Sequence, residues 1–185
     1  FAKLDTLTKE DILVLAGSIP NTLPEDIYEK ILASLESKGI RVVVDATKDL
    51  LLNVLKYHPF LIKPNNHELG EMFGTVCKTD EDIVHYAKKL QEKGAVNVLI
   101  SMAGDGAILI TEDGQNIKMG TPKGKVVNSV GAGDSMVAGF ITGYIRGGNY
   151  EEALKSGTAA GSATAFSEGL ASLEMYEKML KQITE

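Results

Sequence analysis

The fold is decided by Val126-Val127-Asn128-Ser129-Val130-Gly131-Ala132-Gly133-Asp134-Ser135, a stretch that leads directly into an apolar segment starting at Met136. The two valines predict the end of a strand, the small residues predict a turn, and the apolar segment predicts a helix with Asp134 in its first turn. Glycines let a ligand approach the backbone closely, and the first N–H groups of a helix have no carbonyl partners inside it. These donors and the helix dipole favour a bound anion. A carboxylate beside an anion site indicates a base next to a transferring phosphoryl group.

A simpler interpretation of these residues is a tight turn, with an aspartate that the dipole favours in any first helical turn. The length of the pattern favours the functional interpretation. Sixteen consecutive residues, 126–141, resemble the second signature of the ribokinase-like carbohydrate kinases, also called the phosphofructokinase B family. The matching positions are Asn128, Ser129, Gly131, Ala132, Gly133, Asp134, Ala138, Gly139, Phe140 and Ile141.

This resemblance implies an α/β fold, namely a ribokinase-like three-layer sandwich whose central sheet is mostly parallel. It also implies ATP-dependent phosphorylation of a sugar hydroxyl with the help of Mg²⁺. Asp134 would orient that hydroxyl and accept its proton. The amides of Gly131, Ala132 and Gly133 would stabilise the charge on the transferring phosphoryl group.

The composition limits the class of protein. The chain has 185 residues, of which 44% are hydrophobic, so it can bury a substantial core. It carries 19 basic and 25 acidic residues, a formal net charge of −6, and this balance argues against a nucleic-acid partner. The single Cys77 cannot form an internal disulfide, and no apolar run is long enough to span a bilayer. We therefore expect a cytoplasmic protein without a membrane partner.

The start of the chain resembles the interior of an α/β protein rather than its beginning. Members of the family that it resembles are roughly a hundred residues longer on the N-terminal side. We therefore expect residues 1–185 to be the C-terminal portion of a single kinase domain, carrying the nucleotide site and the catalytic base. The N-terminal strands and the lid over the sugar would be absent, and the resemblance implies that a homodimer could form through that lid region.

Apolar runs alternate with amphipathic segments along the chain, which predicts a sheet covered by helices, with ligands at the carboxyl ends of the strands. Strands are expected at 12–16, which should be buried, and at 40–45, 60–63, 96–101, 107–111 and 116–119, the last two as an antiparallel hairpin at a sheet edge. Helices are expected at 24–39, 49–57, 80–93, 150–166 and 173–183, and another, with Asp134 in its first turn, is expected to end at 146.

Polar residues follow the first two predicted strands. Gly17 and Ser18 follow strand 12–16, and Asp45 ends the next strand, shortly before Lys48. A turn of the Gly-Ser-aliphatic-Pro type borders the sugar site in the family, whereas an ordinary strand exit is the alternative. Asp45 and Lys48 could face the sugar phosphate or cap the following helix.

The run Lys63-Pro64-Asn65-Asn66-His67-Glu68 follows the third predicted strand. Asn65 and Glu68 are three residues apart at the start of a helix, so they can project from one face. This pair suits a hydrated Mg²⁺ ion and resembles the family's N-x-x-E motif. The same spacing predicts a helix capping box, and both interpretations can hold together. We place Lys63 among the nucleotide-binding residues.

Two further segments resemble nucleotide-binding elements of the family. Ser101 to Gly106 resembles its S-x-G-x-x-G loop, although Ala103 stands where the first glycine is usual, so the loop backbone should differ locally. A plain turn is the alternative. Small residues from Gly157 to Ala165 permit close approach of a flat ring or of another helix, and the resemblance places them in the adenine pocket. The expected nucleotide contacts are Ser101, Gly104, Gly106, Asn128, Ala160, Gly161 and Thr164.

The run Phe60-Leu61-Ile62-Lys63-Pro64-Asn65-Asn66-His67-Glu68-Leu69-Gly70-Glu71 is most similar to bacterial fructose-1-phosphate kinases, with tagatose-6-phosphate kinases second. The expected reaction is the conversion of D-fructose 1-phosphate to fructose 1,6-bisphosphate. A hypothesis of another class is a non-catalytic nucleotide-binding module. The intact Asp134 argues against a degenerate site, and a phosphotransfer assay beside a nucleotide-binding assay separates the two hypotheses.

Overall fold

The computed structural model describes residues 1–184, which form two compact units. The first unit comprises residues 1–100 and 110–114, and the second comprises residues 101–109 and the chain from residue 115 onward. Among the described helices, none combines the length and the apolar character that crossing a membrane requires.

The first unit is built on a parallel sheet. Its strands follow one another in chain order as β1 (Ile12–Ala16), β2 (Arg41–Asp45), β3 (Leu61–Ile62) and β4 (Asn97–Ser101). Neighbouring strands are parallel, with Val14 opposite Val43, Val44 opposite Ile62, and Ile62 opposite Val98. The parallel α/β sheet that the sequence predicts is therefore confirmed, and the carboxyl ends of these strands share one edge.

Helices cover this sheet through their apolar faces. They are α2 (Ile27–Leu35), α3 (Lys48–Val54), α4 (Asn66–Met72) and α5 (Asp80–Glu92), whereas the short helix α1 (Ala2–Asp5), which precedes β1, has no buried side chain. Short 3₁₀ turns, Glu36–Lys38 and Leu55–Tyr57, continue α2 and α3. The helical side chains in the core include Leu32, Leu51, Leu69, Ile83 and Leu90. The pattern of one apolar residue every three or four positions therefore predicts the buried faces correctly.

Strand β1 is less buried than the sequence predicts. Val14 is 41% exposed, whereas Val43 opposite it is fully buried. The reason is that β1 is the end strand of the sheet and pairs with β2 alone. An apolar run shows that a segment can be buried, but its exposure depends on what covers it.

The beginning of α2 also differs from the prediction. The helix starts at Ile27 instead of Pro24. Residues 20–26 form turns, which are closed by hydrogen bonds from the Leu23 N–H to the Pro20 carbonyl (2.9 Å) and from the Ile27 N–H to the Pro24 carbonyl (3.0 Å). These local hydrogen bonds compete with the helix and delay its start by three residues.

The second unit contains three helices and most of a hairpin, of which residues 110–114 belong to the first unit. The hairpin strands are β5 (Ala107–Ile110) and β6 (Asn116–Met119), and the helices are α6 (Ala132–Gly147), α7 (Tyr150–Ala165) and α8 (Leu173–Thr184). The two strands are neighbours, and a five-residue connection is far too short for a parallel crossover. The predicted antiparallel hairpin is therefore confirmed.

The prediction of a strand that ends at Val127 is wrong. The segment before α6 is irregular, and the side chains of Val126 and Val127 are 62% and 55% exposed. The N–H groups of Val127 and Asn128 donate to the carbonyl of Ala165, at 2.8 and 3.2 Å. These two donors are therefore satisfied by the C-terminal end of α7 rather than by a neighbouring strand.

Helices α6 and α7 pack backbone to backbone. A Cβ atom on Gly139 would lie 2.6 Å from the Ser156 carbonyl oxygen, and one on Gly143 would lie 2.5 Å from that of Glu152. From the other side, a Cβ on Gly157 would lie 2.9 Å from the Met136 carbonyl oxygen. Close helix packing, one of the two interpretations of the small residues, is therefore confirmed.

Candidate functional site

The turn before α6 presents free backbone donors beside a carboxylate. Gly131 precedes the helix with φ of 79°, a conformation that glycine adopts without strain. The Ala132 N–H donates to the Ser129 carbonyl at 3.2 Å. The N–H groups of Gly133 and Asp134 have no acceptor among residues 1–184. The Asp134 side chain lies in the first turn and is exposed, so free N–H donors and a carboxylate share this turn. Binding of an anion there stays a prediction.

Asn128 holds this turn in place. Its side-chain oxygen accepts the Val130 N–H at 3.0 Å, and its amide nitrogen donates to the Glu168 carbonyl at 3.1 Å. Both polar ends of the Asn128 side chain are thus used to join the turn to the segment that follows α7. A direct contact of Asn128 with a nucleotide stays a prediction.

The loop after β4 keeps a glycine-like conformation at the position where glycine is replaced. Ala103 has φ of 48°, in the left-handed region, and it begins a 3₁₀ turn that ends at Asp105. The Met102 N–H donates to the Gly106 carbonyl at 2.8 Å and closes the loop. A Cβ atom on Gly106 would lie 2.0 Å from the Met119 carbonyl oxygen, so only glycine fits there. Gly104, by contrast, has open space around it.

The residues expected to line an adenine pocket on α7 contact α6 and the segment before α8. The Thr164 hydroxyl is paired with that of Ser135 at 2.8 Å and lies 3.3 Å from the Ala171 N–H, which donates to it. A Cβ atom on Gly161 would lie 3.1 Å from the Ala132 carbonyl oxygen. Ala160 lines a cavity of about 420 Å³ with Ser135 and Thr164. These contacts explain the small residues structurally, and their contact with a nucleotide stays a prediction.

In the first unit, the structure brings Asp45 and Lys63 together at the carboxyl ends of β2 and β3. The Lys63 ammonium nitrogen lies 3.3 Å from Oδ1 of Asp45, and the two side chains are 8% and 19% exposed. A buried ammonium group requires such a partner, because its charge would otherwise be left without compensation. The sequence places both residues near a ligand but does not reveal that they form a pair.

Asn65 and Glu68 form a capping box at the start of α4. The Asn65 side chain accepts the Glu68 N–H at 2.8 Å, and Oε2 of Glu68 accepts the Asn65 N–H at 2.8 Å. Oε1 of Glu68 has no partner within the described chain. A carboxylate oxygen is the ligand type that Mg²⁺ prefers. Among residues 1–184, no three His, Cys, Asp or Glu side chains are grouped so that they could hold a metal ion. A Mg²⁺ ion at this pair would keep most of its water or phosphate ligands, and its binding stays a prediction.

The turn after β1 lies against the end of β2. Gly17 has φ of 82°, and its N–H donates to the Asp45 carbonyl at 3.0 Å. Ser18 follows in the same turn. Lys48 instead pairs with Glu71 at 3.6 Å, and both side chains are mostly exposed. The structure therefore brings Gly17, Asp45 and Lys63 together, and Lys48 is engaged on the surface.

Tyr28, which no sequence motif singles out, reaches this cluster from α2. Its hydroxyl lies 2.9 Å from the Ala16 carbonyl oxygen and 3.1 Å from that of Gly17. Burial raises the pKa of the Tyr28 hydroxyl, and the nearby Asp45 raises it further. The only signal in the sequence is spacing, since Tyr28 shares a helical face with Leu32 and Leu35.

Comparison with known proteins connects both units to one family. The sequence model of the pfkB family carbohydrate kinases matches residues 2–175. The 1-phosphofructokinase of Bacillus subtilis is 50% identical over 181 residues, which is 98% of this chain and 59% of that protein. The D-tagatose-1-phosphate kinase of Bacillus licheniformis is 38% identical over 172 residues, 92% of this chain and 56% of that protein.

Solved structures agree on the fold. The crystal structure of phosphofructokinase-2 from Escherichia coli in complex with substrates and products has a TM-score of 0.92 at 26% identity, covering 100% of this chain and 61% of that one. Arabidopsis thaliana ribokinase, complexed with ribose and ATP, has a TM-score of 0.78 at 24% identity, covering 92% of this chain and 55% of that one. The ribokinase-like fold is therefore confirmed, and the chain spans less than two thirds of the length of these proteins.

Proposed function

Because this chain belongs to the pfkB family of carbohydrate kinases, we propose that the whole protein transfers the γ-phosphoryl group of ATP to D-fructose 1-phosphate. The product is fructose 1,6-bisphosphate. The observation that carries the proposal is the 50% identity with a 1-phosphofructokinase over 98% of this chain. The reaction class is supported independently by Asp134, which lies beside free N–H groups at the start of α6.

Asp134 is the catalytic base in this proposal. Its carboxylate orients the acceptor hydroxyl and takes the proton as the new oxygen–phosphorus bond forms and the bond to the leaving ADP breaks. Because the transition state of phosphoryl transfer is loose, the proton can move late, and a strong base is unnecessary. The N–H groups at the start of α6 stabilise the negative charge on the transferring group. Gly131 supplies the turn that lets the phosphoryl group approach them.

Each of the other predicted residues is assigned to one of the two substrates. We assign Ser101, Gly104 and the face of α7 to the nucleotide, and the cluster of Gly17, Ser18 and Asp45 to the sugar phosphate. Lys63 provides a positive charge near the phosphates. When bound, Mg²⁺ would neutralise phosphate charge, and Glu68 is the residue that would hold it through its free oxygen.

Two other functions remain to be compared. A tagatose phosphate is the second candidate acceptor, which is supported by the 38% identity with a D-tagatose-1-phosphate kinase. A non-catalytic nucleotide-binding protein is the candidate from another class. A cytoplasmic location and a homodimer formed through the lid stay predictions.

The test is an acceptor panel with the whole protein, ATP and Mg²⁺. Fructose 1-phosphate, tagatose 1-phosphate, tagatose 6-phosphate and fructose 6-phosphate are each supplied, and both ADP and the bisphosphate are measured. We expect the highest kcat/KM for fructose 1-phosphate. A higher kcat/KM for a tagatose phosphate would identify that sugar, and not fructose 1-phosphate, as the acceptor. Calorimetric binding of ATP without turnover on any acceptor would support the non-catalytic function instead.

A further inference from the structure

The hydroxyl of Tyr28 is directed to the backbone at the exit of β1. The side chain is 9% exposed, and its oxygen lies within hydrogen-bond distance of two consecutive carbonyl oxygens, those of Ala16 and Gly17. These carbonyls belong to the last residue of the strand and the first residue of the turn. The tyrosine therefore joins α2 to the point where the chain leaves the sheet.

The turn held by Tyr28 is part of a wider network at the carboxyl ends of three strands. The Gly17 N–H donates to the Asp45 carbonyl at 3.0 Å, and the Asp45 carboxylate lies 3.3 Å from the Lys63 ammonium group. One hydrogen bond therefore connects the carboxyl end of β1 to that of β2, and one ion pair connects the carboxyl end of β2 to that of β3. Ligands of parallel α/β sheets bind outside these carboxyl ends.

Packing alone does not require the hydroxyl. Leu32 and Leu35, each 3% exposed, already fix the same face of α2 to the core, and a phenylalanine ring would fill the space of the tyrosine ring. Burying a hydroxyl has a cost that hydrogen bonding must offset. At Tyr28 the single hydroxyl proton is shared between two carbonyls at a turn with φ of 82° at Gly17, a backbone conformation that few residues adopt.

We propose that Tyr28 is a positioning residue for the acceptor: it holds the turn after β1 in the conformation that binds the sugar phosphate. This inference rests on the proposed kinase function and goes beyond it by assigning sugar affinity to a side chain outside the polar motifs. Tyr28 acts through the turn at Gly17 and Ser18 and does not touch the reacting atoms. Its loss should therefore weaken binding of the sugar phosphate and leave nucleotide binding and the chemical step unchanged.

The test compares Tyr28→Phe with Tyr57→Phe in the whole protein. Tyr57 is the control, because it is another tyrosine of the first unit, with the Lys56 ammonium nitrogen 5.1 Å from its ring centre, but it lies before β3, at the amino end of that strand. We expect Tyr28→Phe to raise KM for fructose 1-phosphate about three- to tenfold, the factor for one neutral hydrogen bond. KM for ATP and kcat should change less than about twofold, a difference too small to reflect a lost hydrogen bond. Tyr57→Phe should change none of them.

The outcomes separate this inference from the proposed function. An unchanged sugar KM in Tyr28→Phe, or a fall in kcat alone, would overturn the positioning role while leaving the kinase intact. If the wild-type protein turns over no sugar phosphate, the kinase proposal fails, and titration calorimetry with fructose 1-phosphate decides on Tyr28. Weaker binding by the Phe variant then supports its role, whereas equal binding or none overturns it. Thermal unfolding of both variants shows whether the change is local.

Discussion

The ammonium group of Lys63 and the carboxylate of Asp45 form an ion pair, 3.3 Å apart, in which both side chains are largely withdrawn from water. The pair joins the carboxyl ends of β2 and β3. Because a charge inside a protein is costly when it stands alone, the two residues depend on each other. Their relationship gives the first prediction.

Asp45→Asn should lower the free energy of unfolding by about 3–5 kcal/mol, because it leaves the Lys63 charge without a counter-ion. Glu71→Gln is the matched control, since Glu71 pairs with Lys48 at 3.6 Å in an exposed position. That variant should cost about 0.5 kcal/mol or less. Urea-induced unfolding of the three proteins measures both values. Equal losses in the two variants would show that burial of the Lys63 pair has no energetic role.

Asp134→Asn should lower kcat by about two to four orders of magnitude, because the amide has nearly the same shape but cannot accept the proton. Binding of ATP, measured by calorimetry, should be nearly unchanged. Glu151→Gln provides the control, because Glu151 is also an exposed carboxylate in the first turn of a helix, α7. Its turnover should equal that of the wild type. An Asp134→Asn protein with near-wild-type turnover would rule out Asp134 as the catalytic base.

Ala103→Gly should raise the free energy of unfolding by about 0.5 kcal/mol. The left-handed conformation at Ala103 costs a residue with a Cβ atom about 1 kcal/mol, and part of the gain is lost because glycine is freer in the unfolded chain. Ala138→Gly is an informative contrast, since Ala138 is exposed inside α6. That change should lower stability by roughly 0.5–1 kcal/mol. Denaturant unfolding should therefore show shifts of opposite sign, and two losses would contradict the strain at Ala103.

Asp82 should make the free energy of unfolding depend on pH in the acidic range. The N–H groups of Lys78 and Thr79 donate to its carboxylate at 2.9 and 3.1 Å, and these hydrogen bonds lower its pKa below the ordinary value of 3.8. A carboxyl group whose pKa is lower in the folded state stabilises the fold above its unfolded pKa, and this stabilisation is lost as the pH falls through the folded pKa.

The measurement is the unfolding free energy of wild type and Asp82→Asn from pH 6 downward. Wild type should be the more stable protein above the ordinary pKa of 3.8, and the difference should shrink as the pH falls below that value. A difference that stays constant with pH would show that the carboxylate charge does not stabilise the start of α5.

Local patterns in the sequence predict the parts of the structure that are determined locally. Gly131 and Asp134 predict the beginning of α6, and the spacing of three residues between Asn65 and Glu68 predicts the capping box. In both cases the groups that satisfy one another are neighbours in the chain. The order of strands and helices follows in the same way from the period of apolar residues.

The rest depends on partners that are distant in sequence. Val126 and Val127 have the composition of a strand, but the acceptor that decides their conformation is the Ala165 carbonyl at the end of α7. The pairing of Asp45 with Lys63 and the reach of Tyr28 to Gly17 likewise require the folded sheet. Ala103 shows a third limit, because its left-handed conformation is imposed by the loop against the preference of alanine.

The close approach of α6 and α7 has a consequence for how such sequences diverge. The atoms nearest to a Cβ added at Gly139, Gly143 or Gly157 are backbone oxygens, so no side-chain change in the facing helix can make room. Compensating pairs of mutations are therefore ruled out at these positions. In an alignment of distant homologues, glycine should be invariant at these three positions. A homologue with a larger residue there must hold its two helices farther apart.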